Sequence, residues 1–399
     1  MNPHWKNRLV SAGRLGAVVA AVVSTALGAN ALPGAGSAAQ HAAASAPRAG
    51  DVRMNELQFM GAHNAYHREM QDAELASAVS MDPTYPSWGF YSHASIPDLL
   101  GRQGMRGLEL DLLPDPKGGL YRQPLARKLA GLGPIDDPAM AAPGMKVLHV
   151  ADLDYNSTCR TLVDCLRQVR QWSREHPDHA PILLQLELKQ TDDRLEQAGG
   201  AVSPAWDAAL LDDIDREIRS VFTENALISP DDLRRPGLTL EQSVLRYGWP
   251  TLDRARGKVM FFFDNGGPGP IRDMYLAGHP NLAGRAVFTR GNPGDADAAI
   301  TMVNDPRGTN EATIRDLVKR GYLVRTRSDE PLSTVKTEEF SRLDTALASG
   351  AQLVTTDFPT VGMAARYDSD FVAELPGGTA VRCNPVSASR ACRDDRLER

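Results

Sequence analysis

What most constrains this chain is a recurrence. From about Arg53 onward, short apolar runs of strand length alternate with polar turns and helix-like stretches. Candidate strands are 57–62, 107–112, 146–150, 182–188, 258–263, 286–289, 322–326 and 353–356. Candidate helices between them include 159–175, 205–222, 311–320 and 341–349. The first of these places Leu162, Leu166 and Val169 at helical spacing. The third stops before Gly321, a helix terminator that leads into the next strand. Eight strand-helix units without a break in composition predict an α/β fold, a (β/α)8 TIM barrel built as a single domain. An open doubly wound sheet is the alternative, but no G-x-G-x-x-G follows the first strand. The interval between the fourth and fifth strands is the longest and must hold an inserted element.

The N-terminus has a different character. Lys6, Arg8 and Arg14 precede the apolar stretch 15–27, and Ala29-Asn30-Ala31 follows as a small-x-small cleavage site. This order predicts a signal peptide over 1–31 and a secreted protein. About 13 apolar residues are too few for a comfortable membrane span. The Ala/Gly/Pro/Ser-rich stretch 32–52 reads as a disordered linker, 53–375 as the barrel, and 376–399 as a charged C-terminal tail. Cys159, Cys165, Cys383 and Cys392 suit an exported chain; their closeness in sequence suggests bridges 159–165 and 383–392, although four cysteines allow three pairings. A zinc site fits less well, because the spacings are not C-x₂₋₄-C and no histidine pair accompanies them. The net charge of −6 would fall to about −9 on loss of the signal's three cations, which argues against nucleic acid as a partner.

The functional signal is polar residues where strands should be apolar. In Gly107-Leu-Glu-Leu-Asp-Leu112, period-two geometry puts Glu109 and Asp111 on one face and the leucines on the other. In Ile182-Leu-Leu-Gln-Leu-Glu-Leu-Lys189, Gln185, Glu187 and Lys189 share a face in the same way. In a barrel the apolar set packs against the helices, so the polar set points into the upper lumen. Carboxylates buried there are costly unless a cation or strong donors meet them. A solvent-facing antiparallel sheet accounts for one such strand, but less well for two in a βα repeat. His63 and His149 follow the first and third strands, where catalytic groups of barrels gather. The oxygen-rich set Asn64, Glu109, Asp111 and Glu187 suits a hard cation such as Ca²⁺ or Mg²⁺. The two imidazoles suit general acid and base work near neutral pH.

Other residues are less telling. His176 and His179 are expected in a solvated helix-to-strand loop, while His67 and His93 could line the rim. The run Tyr85-Pro-Ser-Trp-Gly-Phe-Tyr91 suits stacking on a sugar, contact with a lipid interface, or plain loop packing. Asp264 and Asn265 end one strand and Asp357 another; either acid could orient a histidine or join a substrate network.

Met60-Gly-Ala-His-Asn-Ala-Tyr66, then Arg106-Gly-Leu-Glu-Leu-Asp111, Val147-Leu-His149 and Leu186-Glu-Leu-Lys189 resemble the phosphatidylinositol-specific phospholipase C superfamily. The likeness is greatest to its secreted, calcium-dependent bacterial branch. It spans about 55–360, with Gly257-Lys-Val-Met-Phe-Phe-Phe-Asp-Asn265 and Thr356-Asp-Phe-Pro359 as later landmarks. The resemblance implies a TIM barrel that cleaves a glycerophospholipid phosphodiester. It assigns the phosphate-flanking catalytic histidines to His63 and His149, and Ca²⁺ ligation to Asn64, Glu109, Asp111 and Glu187. Metal-independent members carry an Arg near the second strand in place of the cation; Glu109 and Asp111 there favour the metal-dependent branch. The implied reaction is attack of the inositol 2-hydroxyl on phosphorus, releasing diacylglycerol and a cyclic inositol phosphate. His149 is expected as general acid, and His63 as base or charge stabiliser.

Glycerophosphodiester phosphodiesterases and phospholipase D-like enzymes of the same fold are rival readings, as is a secreted binding barrel without turnover. The presence of both histidines and all four proposed ligands argues against the last. No basic amphipathic helix is evident, so the expected membrane-surface contact is transient and loop-mediated, made by a monomer.

Overall fold

Alternation of apolar and polar residues translates into eleven strands in the computed structural model, which describes residues 52–398. The expected signal peptide, and the lead-in as far as residue 51, lie outside the described residues. The strands are β1 (Leu57–Ala62), β2 (Gly107–Asp115), β3 (Gly144–Val147), β4 (Ile182–Leu188), β5 (Leu227–Ile228), β6 (Val259–Phe263), β7 (Val287–Phe288), β8 (Ile300–Met302), β9 (Leu323–Arg327), β10 (Leu353–Thr356) and β11 (Val381–Cys383). Eight of them run parallel around a curled sheet: β8, β9, β10, β1, β2, β4, β6 and β7 are neighbours in that order. Strand ladders link every neighbouring pair except β7 and β8. The chain is therefore a TIM barrel with one open seam.

Two expectations need correction. The segment 146–150 is not a barrel strand: β3 pairs antiparallel with the far end of β2, Leu112 opposite Val147 and Asp115 opposite Gly144. This hairpin extends β2 past the rim. Its one buried cation, Lys146, is met by Asp115 at 3.2 Å. The vacant barrel place goes to β8, whose three residues are too short to stand out as an apolar run. Nor does every strand carry a helix. The turn between β7 and β8 has none; instead Asp297 pairs with Arg272 and accepts from Thr289 Oγ1.

Where helices form, local chemistry explains them. In Leu162–Glu175, Thr161 caps the start by accepting from the Asp164 amide at 3.2 Å. Leu162, Cys165, Leu166, Val169 and Trp172 make its buried stripe. Disulfides join Cys159 to Cys165 and Cys383 to Cys392, as expected. The C-terminal segment is strand-paired: β11 runs antiparallel to the start of β1, and Glu398 forms an ion pair with the buried Arg106.

Register decides what fills the lumen. Gly61 lies opposite Gly107 and Thr355, Glu109 opposite Gln185, Asp111 opposite Glu187, and Leu353 opposite Arg325. Alternation then turns His63, Glu109, Asp111, Gln185, Glu187, Arg325, Arg327 and Asp357 toward the same side. Below them the barrel is narrow. A Cβ on Gly107 would stand 2.3 Å from Leu353 Cδ1, and one on Gly61 2.9 Å from the same atom. These two glycines let one leucine plug the lumen beneath the charged layer.

Candidate active site

The C-terminal ends of β1, β2, β4, β9 and β10 bring the predicted residues together. His63 follows β1, and its backbone N–H donates to Thr356 O at 2.9 Å. Its Nδ1 lies 2.7 Å from Asp357 Oδ1, while Arg327 Nη2 holds the other Asp357 oxygen at 3.0 Å. Burial outweighs the carboxylate and, with Arg327 adding to it, pushes the His63 pKa down to about 3. The ring is neutral at physiological pH, with Nδ1–H on Asp357 and Nε2 free to accept a proton. That Nε2 stands 3.9 Å from Glu109 Oε1. Asp357 stays ionised: His63 and the permanent charge of Arg327 overcome burial and hold it well below the usual carboxylate range.

Asn64 takes a left-handed backbone conformation, φ 47°, which asparagine tolerates better than most residues. Its Nδ2 donates to Tyr91 Oη at 3.1 Å, but its buried Oδ1 has no partner. The adjacent carboxylates match that orphaned oxygen. Glu109, Asp111 and Glu187 each present an oxygen within 4.8 Å of the others. Neither Asp111 oxygen accepts a well-aligned hydrogen bond. Burial raises the pKa of Asp111 to about 6, against the pull of Lys189, and raises Glu109 well above the carboxylate range. Two cations stand in attendance. Lys189 Nζ lies 3.2 Å from Asp111 and 3.0 Å from Glu187, and Arg325 Nη2 is 3.0 Å from Glu109. Buried, under-bonded oxygens facing each other are the donor set a hard divalent cation requires, so these residues fit Ca²⁺.

His149 comes from the turn after β3, not from a barrel strand, yet it reaches the same cavity. Its Nδ1 lies 2.8 Å from Asp154 Oδ2, which leaves Nε2 without a protein partner. The same Asp154 oxygen is 2.8 Å from Nε2 of the buried His67, whose Nδ1 donates to Tyr91 O. Both His67 nitrogens thus face acceptors. Burial opposes the charged ring, but Asp154 prevails and raises the His67 pKa. Although His67, His149 and Asp154 sit close enough to hold a metal, Asp154 Oδ2 is already shared between the two imidazoles and both His67 nitrogens are engaged. His93 is buried too; its Nε2 donates to His63 O at 2.7 Å. His67 and His93 support the site from behind and do not line its rim.

The cavity between these groups measures about 560 Å³ and is lined by His63, Asn64, Trp88, His149, Arg327 and Asp357 among others. The 85–91 aromatics divide their roles. Tyr85 is core, Tyr91 is buried yet borders the cavity, and Trp88 stands edge-on to His149 at 5.2 Å on the same wall. Asp264 accepts from Gln185 at 3.2 Å, and Asn265 ties β6 to the end of β4 through both Leu188 backbone groups. His176 is exposed, but His179 is buried against Ser173, contrary to a solvated placement. Sequence reasoning missed Asp154, Arg325 and Arg327. The alternation in Leu323-Val-Arg-Thr-Arg327 carried the same signal as that of β2; nothing in the sequence pointed to Asp154.

Paired imidazole and carboxylate groups beside an oxygen-rich cation nest, at the mouth of a barrel, define a class of enzyme: phosphodiesterases assisted by a divalent metal. Residues 52–385 match the family model of Ca²⁺-dependent phosphoinositide phospholipase C, and the chain belongs to that family. It is accordingly a phosphoric diester hydrolase that works with Ca²⁺. Among solved structures, the calcium-dependent phosphoinositol-specific phospholipase C of a Gram-negative Pseudomonas species, in its apo form, is similar in fold. Identity is 16% and the TM-score 0.50, over 85% of this chain and 97% of that one. A Ca²⁺-dependent phosphatidylinositol-specific phospholipase C from Streptomyces antibioticus is 19% identical, with a TM-score of 0.48 over 79% of this chain and 98% of that one. No curated protein matches.

Proposed function

We propose that this enzyme is secreted and cleaves phosphatidylinositol by intramolecular attack of the inositol 2-hydroxyl, with His63 as base and His149 as acid. The observation that carries the reading is the pair of oriented imidazoles on one cavity. Asp357 holds Nδ1 of His63, Asp154 holds Nδ1 of His149, and each Nε2 is left for substrate.

Neutral His63 takes the proton of the 2-hydroxyl at Nε2 as its oxygen bonds to phosphorus. His149, as the acid, gives a proton from Nε2 to the glycerol oxygen as the phosphorus–oxygen bond breaks. The products are diacylglycerol and a cyclic inositol phosphate, which water can open in a second step. Asn64, Glu109, Asp111 and Glu187 would hold Ca²⁺; when bound, the ion neutralises phosphate charge and makes the 2-hydroxyl more acidic. Arg327, on the cavity wall with its Nε unpartnered, adds fixed positive charge for a phosphoryl oxygen. Trp88 and the half-exposed Leu332 border the opening and suit brief contact with a lipid surface by a monomer.

Two disulfides agree with an oxidising compartment. Among the described residues no helix is long and apolar enough to cross a membrane. We assign 1–31 to the export signal, 32–52 to a linker, 53–375 to the barrel and 376–399 to the stapled C-terminal segment. The test is ³¹P NMR of phosphatidylinositol micelles with Ca²⁺ and then with EGTA. A cyclic inositol phosphate resonance that requires Ca²⁺ is expected. A linear phosphomonoester or phosphodiester formed without a cyclic intermediate would overturn the mechanism.

A further inference from the structure

The opposite pole of the barrel holds a second cavity, of about 580 Å³, with an unusual wall. Four cations border it: Arg53, Arg235, Arg254 and Lys258. None of the four charged groups has a carboxylate within 4.0 Å among the described residues, although the Arg53 backbone N–H donates to Glu56 Oε2 at 2.7 Å. The single acid on the wall, Asp232, is engaged elsewhere. Its Oδ2 caps a helical turn, accepting from Ser229 N at 2.8 Å and from Ser229 Oγ at 3.1 Å. In a chain of net charge −6, these cations repel each other with only neutral groups for relief: Lys258 Nζ donates to Leu227 O at 3.4 Å, and the Arg235 guanidinium carbon lies 5.9 Å from the Tyr247 ring centre.

The hollow is also shaped. Arg53 is fixed by donating Nη1–H to Trp249 O. Gly248 beside it has φ 75°, and a Cβ there would come within 3.1 Å of the Arg53 guanidinium carbon. Trp249 is fully buried and anchored by its indole N–H on Gly321 O at 2.9 Å, which gives the cavity a rigid floor. Arg235 and Arg254, by contrast, are exposed, and their guanidinium groups form no hydrogen bond among the described residues. A rigid base with two free planar donors above it suits a phosphoryl group, which guanidinium binds in a bidentate manner.

We propose that this cavity binds a soluble, multiply charged oxyanion: a small molecule carrying two or more phosphoryl groups. Its position favours a soluble source over a lipid headgroup. Arg53 precedes β1, Lys258 precedes β6, and Gly321 precedes β9, all at the strand starts, whereas His63 and the acidic set lie at or beyond strand ends. Strands of five to seven residues separate the poles by on the order of 20 Å. A bilayer that feeds the phosphodiester site cannot reach the other end of the same barrel.

Isothermal titration with inorganic pyrophosphate, in EGTA, tests the site on the intact protein. One saturable binding event is expected, weakened about tenfold or more in Arg254→Ala and again in Arg235→Ala, and unchanged in His149→Ala. Both arginines are exposed, so folding is preserved, and circular dichroism checks it. No binding at millimolar pyrophosphate overturns the proposal. Loss in His149→Ala with retention in Arg254→Ala overturns it too, because the probe would then occupy the phosphodiester site. In a second arm, vesicles containing phosphatidic acid should sediment equally with wild-type protein and with the Arg235→Ala/Arg254→Ala double variant. Reduced sedimentation of the double variant would give the cavity to a lipid headgroup and overturn the soluble source.

Discussion

Asp154 serves two histidines through one oxygen, and that economy makes it the most exposed point of the site to mutation. With Asp154→Asn, His149 loses the acceptor that fixes its tautomer and ring plane. The expected result is a fall in kcat of roughly 10²–10⁴-fold with little change in KM, measured by steady-state release of inositol phosphate. A parallel rise in KM would mean that Asp154 acts in binding. Lys189 poses the converse question. Its ammonium sits against Asp111 and Glu187, where it competes with any metal for the same oxygens. Lys189→Met should tighten Ca²⁺ binding by about tenfold, or about 1.4 kcal/mol, by isothermal titration. Weaker binding would show that the lysine orients the ligands. At this scale much of the site was legible beforehand. Glu109, Asp111, Glu187 and His63 betray themselves as ionisable groups at strand positions that ought to be apolar. Asp154 does not, because it lies in a turn where an aspartate is ordinary, and its importance comes only from where the turn folds back.

Strands and helices were legible wherever burial is one-sided or the apolar run is long. β4 matches its expected bounds because Ile182, Leu184, Leu186 and Leu188 make one apolar face, and β10 because Leu353-Val-Thr-Thr356 is a β-prone run that ends at a turn. β3 misled because hydrophobicity does not encode direction: a short run of strand residues pairs antiparallel as readily as parallel. β8 escaped because three residues carry too little pattern. Two expectations belong to elements. Gly107→Ala would push a methyl into Leu353, at a cost of about 1–3 kcal/mol, seen as a lower denaturation midpoint. Adding Leu353→Ala should recover part of that loss on the Gly107→Ala background, although it is destabilising on its own. In the helix Ala208–Val221, burial raises the Glu217 pKa to about 7 while its Oε1 accepts from the Met145 amide. The unfolded chain ionises this acid first, so its contribution to stability declines as pH rises from about 4.5 through 7. Glu217→Gln should therefore raise the melting temperature at pH 8, by the equivalent of roughly 1 kcal/mol after solvent screening, and change it little at pH 4.

For the whole molecule, a cation nest made from β1, β2 and β4 couples metal binding to the fold. Saturating Ca²⁺, at about 100 times Kd, should stabilise the protein by about 2.7 kcal/mol, and EGTA should reverse the shift. In Glu187→Gln the shift should shrink while the melting temperature without metal stays near wild type. An unchanged shift would remove Glu187 from the ligand set. The open seam between β7 and β8 has its own consequence. A closed barrel has no sheet edge, whereas this one has two, each a row of amide and carbonyl groups that another chain could pair with. Brevity protects them: two and three residues offer too few rungs for a foreign strand to settle on. The Arg272–Asp297 pair pins the connecting turn. The same brevity makes the seam the place where the cylinder can widen without breaking a ladder. Its amide protons should exchange with solvent ahead of those of β2 and β4, on the far side of the lumen.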